Sequence, residues 1–349
     1  MNAPAAPIRL TQFSHGGGCG CKIAPGVLTE LLAATPIRNL PKDLLVGTES
    51  SDDAAVYRLN DTQALVATTD FFTPIVDDPY DFGRIAATNA LSDIYAMGGL
   101  PFMALAVVGM PLDKLPLEVI QKILAGGESV CAAAGIPIAG GHSIDVLEPI
   151  YGLVGLGLVH PQRIKRNDRA REGDVLILGK PLGVGILSAA LKKGTLSAAG
   201  YEQMIAATTQ LNTPGTALAE LPGVHAMTDV TGFGLAGHLL EICRGSKLGA
   251  TLRFADLPLI GEALQRAKHG TVTGASARNW SGYGSEIRLP EDVHKWQRAL
   301  LTDPQTSGGL LVACAPDTEA AVLAEFSKQG FGAACRIGRM VAGQGISVE

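Results

Sequence analysis

Residues 68–99 read TTDFFTPIVDDPYDFGRIAATNALSDIYAMGG and contain the end of an apolar strand, a loop and a helix. The apolar run that opens the stretch ends in two threonines and Asp70. Projected at 100° per residue, positions 81–97 place Asp93 at the edge of an apolar stripe, one turn after Asn89. Carboxylates where water is scarce cost free energy unless a cation neutralises them. Because oxygen ligands suit Mg²⁺, the stretch predicts a metal–nucleotide centre.

Other acidic residues extend this prediction beyond the helix. Asp52 and Asp53 lie just upstream, and Asp229 follows a predicted strand in MTDVTGFG, a common place for ligand-binding residues in α/β sheets. A lone Asp at such a place often caps a helix, and Asp93 has the alternative of an ion pair with Arg84. Arg84, however, lies on the opposite side of the helical projection. Taken together, these residues favour a distributed carboxylate site.

The composition indicates a globular protein with a sizeable core. Hydrophobic residues make up 47% of the 349 residues and charged residues only 17%, which excludes a disordered chain and allows two domains. The net charge of −5 argues against a general nucleic-acid-binding surface. MNAPAAPIRL has no signal-peptide pattern, and the longest apolar runs are too short for a membrane span. We expect a cytoplasmic protein with no membrane or nucleic-acid partner, whose six cysteines remain thiols.

Strands and helices alternate along the chain, which indicates an α/β or α+β fold. The N-terminal part is predicted to hold helices at 25–34, 81–97 and 117–134, and strands at 44–47, 54–57, 64–67, 102–109, 136–139 and 150–159. An Asn60-Asp61 turn predicts a hairpin, and the charged run at 160–174 predicts an interdomain linker. After it we expect a helical hairpin ending near Leu221, a polar loop at 270–286, helices at 259–268 and 316–328, and strands at 174–179, 225–230, 251–254, in LLVAC and near Cys335.

The glycine-rich segment HGGGCGCK at 15–22 combines two thiols with an amine. Cys19 is predicted to be a nucleophile or a carrier of a soft element, with its pKa lowered by Lys22. Lys22 has the alternative role of neutralising a phosphate, and incidental thiols on an exposed arm are a third interpretation. One CxC pair and His15 do not complete a zinc site.

Two further glycine-rich segments follow or precede predicted strands. GGHS at 140–143 fits a phosphate cradle made of backbone N–H groups, with a plain tight turn as the alternative. DPQTSGG at 303–309 is interpreted as mostly structural. The Walker A motif and the GxGxxG fingerprint after a first strand are both absent from the sequence.

Seven segments, in this order, resemble the selenophosphate synthetase (selenide, water dikinase) family: HGGGCGCK, SDDAAVY, TTDFF, NALSDIYAMGG, GGHSID, MTDVTGFGLAGHL and DPQTSGG. The match runs from Leu10 to about Val312, and the arrangement is more distantly similar to the aminoimidazole ribonucleotide synthetase superfamily. The resemblance implies an enzyme that forms selenophosphate, AMP and phosphate from ATP, selenide and water. It also implies a need for Mg²⁺ and stimulation by a monovalent cation such as K⁺.

The resemblance implies a particular α/β (α+β) architecture as well. A flexible glycine-rich arm over residues 1–50 would carry the catalytic Cys and Lys. An N-terminal domain over 51–160 would bind ATP and Mg²⁺, and its strands would join a barrel across a homodimer. A C-terminal α/β domain would span 161–349. A selenium-delivery protein would be a further partner.

Carried over position by position, the resemblance implies roles for individual residues. The catalytic residues would be Cys19 and Lys22, and the metal ligands would be Asp53, Asp93 and Asp229. The nucleotide-binding residues would be Lys22, Ser50, Ser51, Asp52, Asp70, Asp93, Gly141, His142 and Ser143. Some members of the family carry selenocysteine at the position of Cys19, where this chain has cysteine.

Two alternatives stay open. Another ATP-dependent enzyme of the same superfamily, acting on a carbonyl or amide substrate, would share the acidic site but would need no thiol beside the glycine segment. A non-catalytic thiol or metal carrier would explain Cys19 and Cys21 but would leave five aspartates without a purpose.

Overall fold

The computed structural model describes residues 8–23, 27, 31, 40–47 and 52–349. Within them the chain forms two sheets covered by helices, which confirms the α/β (α+β) prediction. Of the helix predicted at 25–34 the structure describes residues 27 and 31 alone, both helical, and Ser50 and Ser51 lie outside the described residues. None of the described helices has the length and apolar character needed to cross a bilayer.

The first sheet consists of six strands: β1 (Leu44–Val46), β2 (Ala55–Arg58), β3 (Ala64–Phe72), β4 (Leu100–Met110), β5 (Ile138–Asp145) and β6 (Ile150–Val159). They lie in the order β1-β2-β3-β6-β4-β5, and all neighbours are antiparallel except β4 and β5. The predicted hairpin joins β2 to β3, and the Asn60 side chain closes it by accepting from the Thr62 N–H at 2.9 Å. Since β1 and β5 are open edges in the described chain, the barrel stays a prediction.

Two helices, α1 (Pro79–Ala96) and α2 (Leu117–Ala133), pack closely against each other. α1 begins after Asp78, whose carboxylate accepts from the Asp81 N–H at 2.8 Å. A methyl group on Gly126 of α2 would lie 2.0 Å from the Tyr80 carbonyl oxygen, so only glycine allows this crossing. Arg84 forms its ion pair with Asp81, at 2.5 Å, and not with Asp93 as in the alternative interpretation of that residue.

The second sheet contains seven strands: β7 (Val175–Leu178), β8 (Val224–Asp229), β9 (Gly249–Leu252), β10 (Ile287–Arg288), β11 (Leu310–Cys314), β12 (Cys335–Val341) and β13 (Gly345–Val348). Their order is β10-β13-β9-β12-β7-β11-β8. The helices around this sheet are α3 (Val184–Lys192), α4 (Ala198–Thr208), α5 (Pro214–Leu218), α6 (Gly234–Ser246), α7 (Gly261–Lys268), α8 (Gly274–Tyr283), α9 (Lys295–Leu301) and α10 (Glu319–Lys328). β7 and β11 are buried at every residue, as expected of central apolar strands.

The prediction of a polar loop at 270–286 is wrong, because the chain forms α8 there. Thr273 caps this helix by accepting from the Ser276 N–H at 3.0 Å. The Ser276 hydroxyl forms a 2.7 Å hydrogen bond with that of Thr302, and the Asn279 amide donates to the Gly232 carbonyl at 3.0 Å. Tertiary partners thus satisfy the polar side chains that made the segment look like a loop.

The turn interpretation of GGHS is also wrong, because β5 runs through these residues to Asp145. The strand pairs in parallel with β4, and Gly141 lies opposite Ala106 in the register. Hydrogen bonds to the neighbouring strand β4 therefore keep this segment extended, although its composition is typical of a turn. The division between the predicted domains stays a prediction, although the charged segment at 160–174 does connect the two sheets.

Candidate active site

Three carboxylates from separate parts of the chain meet between the two sheets. Asp53 precedes β2, Asp93 lies on α1, and Asp229 is the last residue of β8. One oxygen of each lies within 4.8 Å of the others. The Thr228 hydroxyl donates to Asp53 at 2.7 Å, and the Thr68 hydroxyl donates to Asp93 at 2.5 Å. The grouping of these three aspartates agrees with the sequence-based prediction.

The cluster lacks a compensating charge of its own. Burial raises the pKa of all three carboxyl groups, and repulsion from Asp229 raises those of Asp53 and Asp93 further. The Oδ2 atoms of Asp53 and Asp229 are buried and have no hydrogen-bond partner among the described residues. Hard oxygen donors with this deficit fit a divalent cation such as Mg²⁺.

A cation and a fourth carboxylate lie next to this cluster. Lys22 Nζ is 3.5 Å from Asp70 Oδ2, and Asp70, inside β3, also accepts from the Asn89 side-chain amide at 2.6 Å. Burial lowers the pKa of Lys22, but the Asp70 carboxylate and the neighbouring acidic groups raise it by more, so the amine remains protonated. The site therefore offers a mobile ammonium group beside the carboxylates.

Cys19 is 1% exposed and belongs to the glycine loop, by which we mean residues 15–22. Its thiol donates to Asn89 Oδ1 at 3.3 Å, and its backbone N–H donates to the Thr306 hydroxyl at 3.0 Å. Gly18 turns the loop with a φ of +55°, and a methyl group there would lie 2.4 Å from Thr306 Oγ1. The backbone at Gly18 and this contact both require glycine.

The predicted lowering of the Cys19 pKa is wrong for this conformation. Burial raises the pKa of the thiol well above its usual value, and the Asp70 charge adds to the rise, while Lys22 opposes it. A thiol that donates a hydrogen bond to an amide oxygen is protonated. The closed loop therefore favours the protonated thiol of Cys19.

Asn89 links these groups, a role that the sequence reasoning did not assign. Its Oδ1 atom accepts from both the Cys19 thiol and the Ser307 N–H, the latter at 2.7 Å, while its amide donates to Asp70. The available signal was a buried amide one helical turn before Asp93. Its partners could not be inferred from that spacing, because Cys19 is 70 and Ser307 is 218 residues away in the chain.

The DPQTSGG segment contacts the glycine loop through a hydrogen bond between Thr306 and Cys19. Thr306 accepts from Cys19, and Gln305 Oε1 caps α3 by accepting from the N–H groups of Gly183 and Val184, each at 3.1 Å. Lys180 Nζ donates to the Ser307 carbonyl at 2.9 Å, where Ser307 has a φ of +52°. The segment therefore has the structural role predicted for it, and it also contacts the loop that carries Cys19.

Other predicted residues lie away from the carboxylate cluster or outside the described chain. Gly141, His142 and Ser143 are on the exposed edge strand β5. Asp52 accepts from the Asn167 N–H at 2.6 Å, and its carboxylate lies 3.9 Å from the Arg166 side chain. Both partners belong to the segment that connects the two sheets. Their nucleotide contacts, like those of the serines just before Asp52, stay predictions.

Comparison with known families gives two adjoining matches. The AIR synthase related protein N-terminal domain matches residues 51–159, and the AIR synthase related protein C-terminal domain matches residues 171–349. Among solved structures, a thiamine-monophosphate kinase from Stenotrophomonas maltophilia has a TM-score of 0.65 and 21% identity, covering 94% of this chain and 96% of its own. This likeness confirms the two-domain AIR synthase-like fold.

Relatives with high sequence identity extend over almost the whole chain. A protein of Burkholderia ambifaria named selenide, water dikinase is 67% identical over 344 residues, covering 98% of this chain and 97% of its own length. A protein of Dechloromonas aromatica with the same name is 63% identical, and the match covers 99% of both chains.

Proposed function

Because the chain belongs to the selenide, water dikinases within the AIR synthase related proteins, we propose that it forms selenophosphate, AMP and phosphate from ATP, selenide and water. One observation carries the proposal: the three-carboxylate cluster lies beside Asp70, which pairs with Lys22 and is joined through Asn89 to the enclosed thiol of Cys19. The cluster alone would suit any ATP-using member of the superfamily. The enclosed thiol favours a soft, selenium-containing substrate over a carbonyl or amide.

Asp53, Asp93 and Asp229 would hold Mg²⁺, and Asp53 and Asp229 each offer a buried oxygen without a hydrogen-bond partner among the described residues. Mg²⁺ held by these residues would supply positive charge to offset that of the phosphate groups. Thr228 and Thr68 orient two of these carboxylates by donating to their other oxygens. We also propose that a monovalent cation such as K⁺ stimulates the enzyme. This proposal rests on the resemblance to the family alone.

Lys22 would stabilise the charge on the transferring phosphoryl group, because its ammonium already lies among acidic groups at the site. Asp70 holds this amine and, together with Ser50, Ser51 and Asp52, belongs to the proposed nucleotide-binding residues. Cys19 would handle selenium rather than bind ATP, since its thiol faces Asn89.

A homodimer is the proposed working form. The side chains of β5 are mostly exposed, and large apolar side chains such as Phe71, Phe102 and Ile144 are exposed on the same sheet. Gly141, His142 and Ser143 lie on this open edge, so we propose that they reach a nucleotide only when two copies pair. We further propose a cytoplasmic location, where the six free thiols stay reduced, and a selenium-delivery protein as a partner.

Phosphorus NMR of reaction products tests the proposed activity. With ATP, Mg²⁺ and selenide, the wild-type chain should give AMP, phosphate and a phosphorus signal split by selenium. Asp53→Asn, which keeps size but removes a charge, should lower turnover at saturating Mg²⁺ by about 100-fold or more. If the wild type yields ADP without a selenium-coupled signal, the activity is a different ATP-dependent reaction of the superfamily.

Cys19→Ser separates the two proposed halves of the site. The variant should bind ATP as tightly as the wild type and should lose selenophosphate formation. Weaker ATP binding together with unchanged product formation would contradict the proposed role of the thiol.

A further inference from the structure

A cavity of about 370 Å³ lies beside the glycine loop, on the side formed by α3 and the start of α8. Four basic residues line it: Lys192 and Lys193 at the end of α3, Arg278 on α8, and His15, whose Nδ1 lies 3.0 Å from the Glu148 carboxylate. Aspartate and glutamate are absent from its lining among the described residues. The Lys192 ammonium is anchored to the Ser14 carbonyl at 2.9 Å, whereas Lys193 is exposed. The cavity therefore has positive charge, although the chain as a whole carries −5.

This cavity adjoins a much smaller space that Cys19 and Lys22 line. The two spaces share three lining residues: Gly20, Ala275 and Arg278. Arg278 is exposed and donates to the Gly20 carbonyl at 3.0 Å. One exposed side chain and its hydrogen bond to the glycine loop therefore lie at the boundary between the cavity and the space beside Cys19.

The electrostatics of the two sides of the glycine loop differ. Asp53, Asp70, Asp93 and Asp229 lie on the side proposed for Mg²⁺ and the phosphates, where a free anion without a metal ion would be repelled. The basic cavity offers an approach that avoids them. A cleft lined by charge of one sign raises the local concentration of the opposite ion and its rate of association.

We propose that this cavity is the entry site for the selenium substrate, which it binds as the hydrogen selenide anion before the anion reaches Cys19. The proposal rests on the proposed function and deepens it. Hydrogen selenide is a monoanion at neutral pH, and its charge is large in radius and weakly hydrated. Guanidinium and ammonium groups beside apolar walls such as Ile75 and Val272 suit an ion of this kind.

A charge series at Lys193 tests the entry site, because this exposed residue does not touch Cys19 or the carboxylates. Steady-state kinetics should show the apparent KM for selenide rising about threefold to tenfold in Lys193→Glu, less in Lys193→Gln, and little in Lys193→Arg. The KM for ATP and the kcat at saturating selenide should stay unchanged. Added salt should shrink the difference between the wild type and Lys193→Glu.

The matched control is Lys328→Glu, which makes the same charge change at an exposed helix end outside the cavity. Arg278→Gln provides a second site, and the thermal midpoint of each variant checks folding. If Lys193→Glu and Arg278→Gln show the selenide KM of the control, or raise the KM for ATP instead, the entry site is wrong. If the wild type itself forms no selenophosphate, the proposed function fails rather than the entry site.

Discussion

Buried acidic side chains differ in what compensates their charge. Asp70 has an ammonium and an amide as partners, whereas Asp53 and Asp229 each keep one oxygen without a hydrogen bond. An uncompensated buried carboxylate costs free energy, so the apo cluster destabilises the fold that a divalent cation would stabilise. Function and stability are opposed at these residues.

Asp229→Asn tests this opposition. Without Mg²⁺ the variant should be more stable than the wild type by about 1 kcal/mol or more, because one of three repelling charges is removed. Mg²⁺ should raise the melting temperature of the wild type and have little effect on the variant, as differential scanning calorimetry would show. Equal stabilisation of both chains by Mg²⁺ would contradict the assignment of Asp229 as a ligand.

Asp303 provides a pH-dependent contribution outside the carboxylate cluster. Burial raises its pKa to about 7, and hydrogen bonds from the Ile186 N–H and Gln305 only partly oppose this. Because the folded state holds this proton more tightly than the unfolded state, the associated stability is present below about pH 4 and is lost as the pH rises through 7. The loss should be on the order of 2–4 kcal/mol.

Urea unfolding of the wild type and Asp303→Asn at pH 5 and pH 8, with a chelator present, measures this contribution. The wild type should lose more stability between the two pH values than the variant does. The difference between the chains isolates Asp303 from Lys180, whose pKa burial lowers to about 7 and which titrates in both. Identical pH profiles would show that Asp303 has an ordinary pKa.

At the scale of elements, the site depends on one helix and one loop that contact each other. α1 brings Asn89 and Asp93 to the sheet, and its position is set by the close crossing with α2. The DPQTSGG segment brings Thr306 and Ser307 to Asn89. Each of the two elements accepts one hydrogen bond from Cys19: Asn89 on α1 accepts from the thiol, and Thr306 in the DPQTSGG segment accepts from the N–H.

Gly126→Ala should disturb this crossing. The added methyl group would lie 2.0 Å from the Tyr80 carbonyl oxygen, so the helices must separate at a cost of about 1–3 kcal/mol or more. The control is Gly261→Ala on α7, where no atom lies within 4 Å and the substitution should be neutral or slightly stabilising. Chemical denaturation measures the stability of both variants. Equal stability of Gly126→Ala and Gly261→Ala would contradict the close helix crossing at Gly126.

Thr306→Val should loosen the glycine loop. The substitution keeps the shape but removes the acceptor of the Cys19 N–H, which leaves a buried donor unpaired at a cost of about 1–3 kcal/mol. We expect faster alkylation of Cys19 and a roughly tenfold lower kcat, with the ATP affinity retained. Thr306→Ser keeps the hydroxyl and should behave as the wild type, so alkylation at the same rate in all three chains would contradict this role.

The sequence is informative about elements with strong periodicity and about acidic residues beside them. The helix predicted at 81–97 is observed at Pro79–Ala96, and the three aspartates do converge. The sequence is less informative where tertiary contacts override composition, as in α8 and in the extension of β5 through two glycines. The Cys19 pKa was predicted in the wrong direction because burial cannot be read from neighbouring residues in the chain.

At the scale of the whole molecule, the first sheet has exposed apolar side chains on one face and an open edge at β5 within the described part of the chain. Phe102 is 41% exposed and Ile144 is 52% exposed, on neighbouring strands β4 and β5. An exposed edge with apolar side chains is usually covered in a stable protein. A second copy of the chain is the covering that agrees with the proposed homodimer.

Ile144→Asp should shift the chain toward a monomer and reduce activity, because a carboxylate would be desolvated at the interface. Sedimentation velocity at several concentrations measures the change. Leu117→Asp, with a similarly exposed apolar side chain at the start of α2, is the control for a general effect of charge on solubility. A wild-type chain that sediments as a monomer at all concentrations would contradict the homodimer.

The burial of Cys19 has a consequence for the durability of the resting protein. Peroxides and disulfides attack thiolates, whereas the Cys19 sulfur is 1% exposed and keeps its proton by donating to Asn89. The closed loop therefore protects the thiol that we propose to handle selenium from oxidative damage while no substrate is present. Idle molecules would outlast working ones in an oxidising environment, since each turnover that opens the loop exposes the sulfur again.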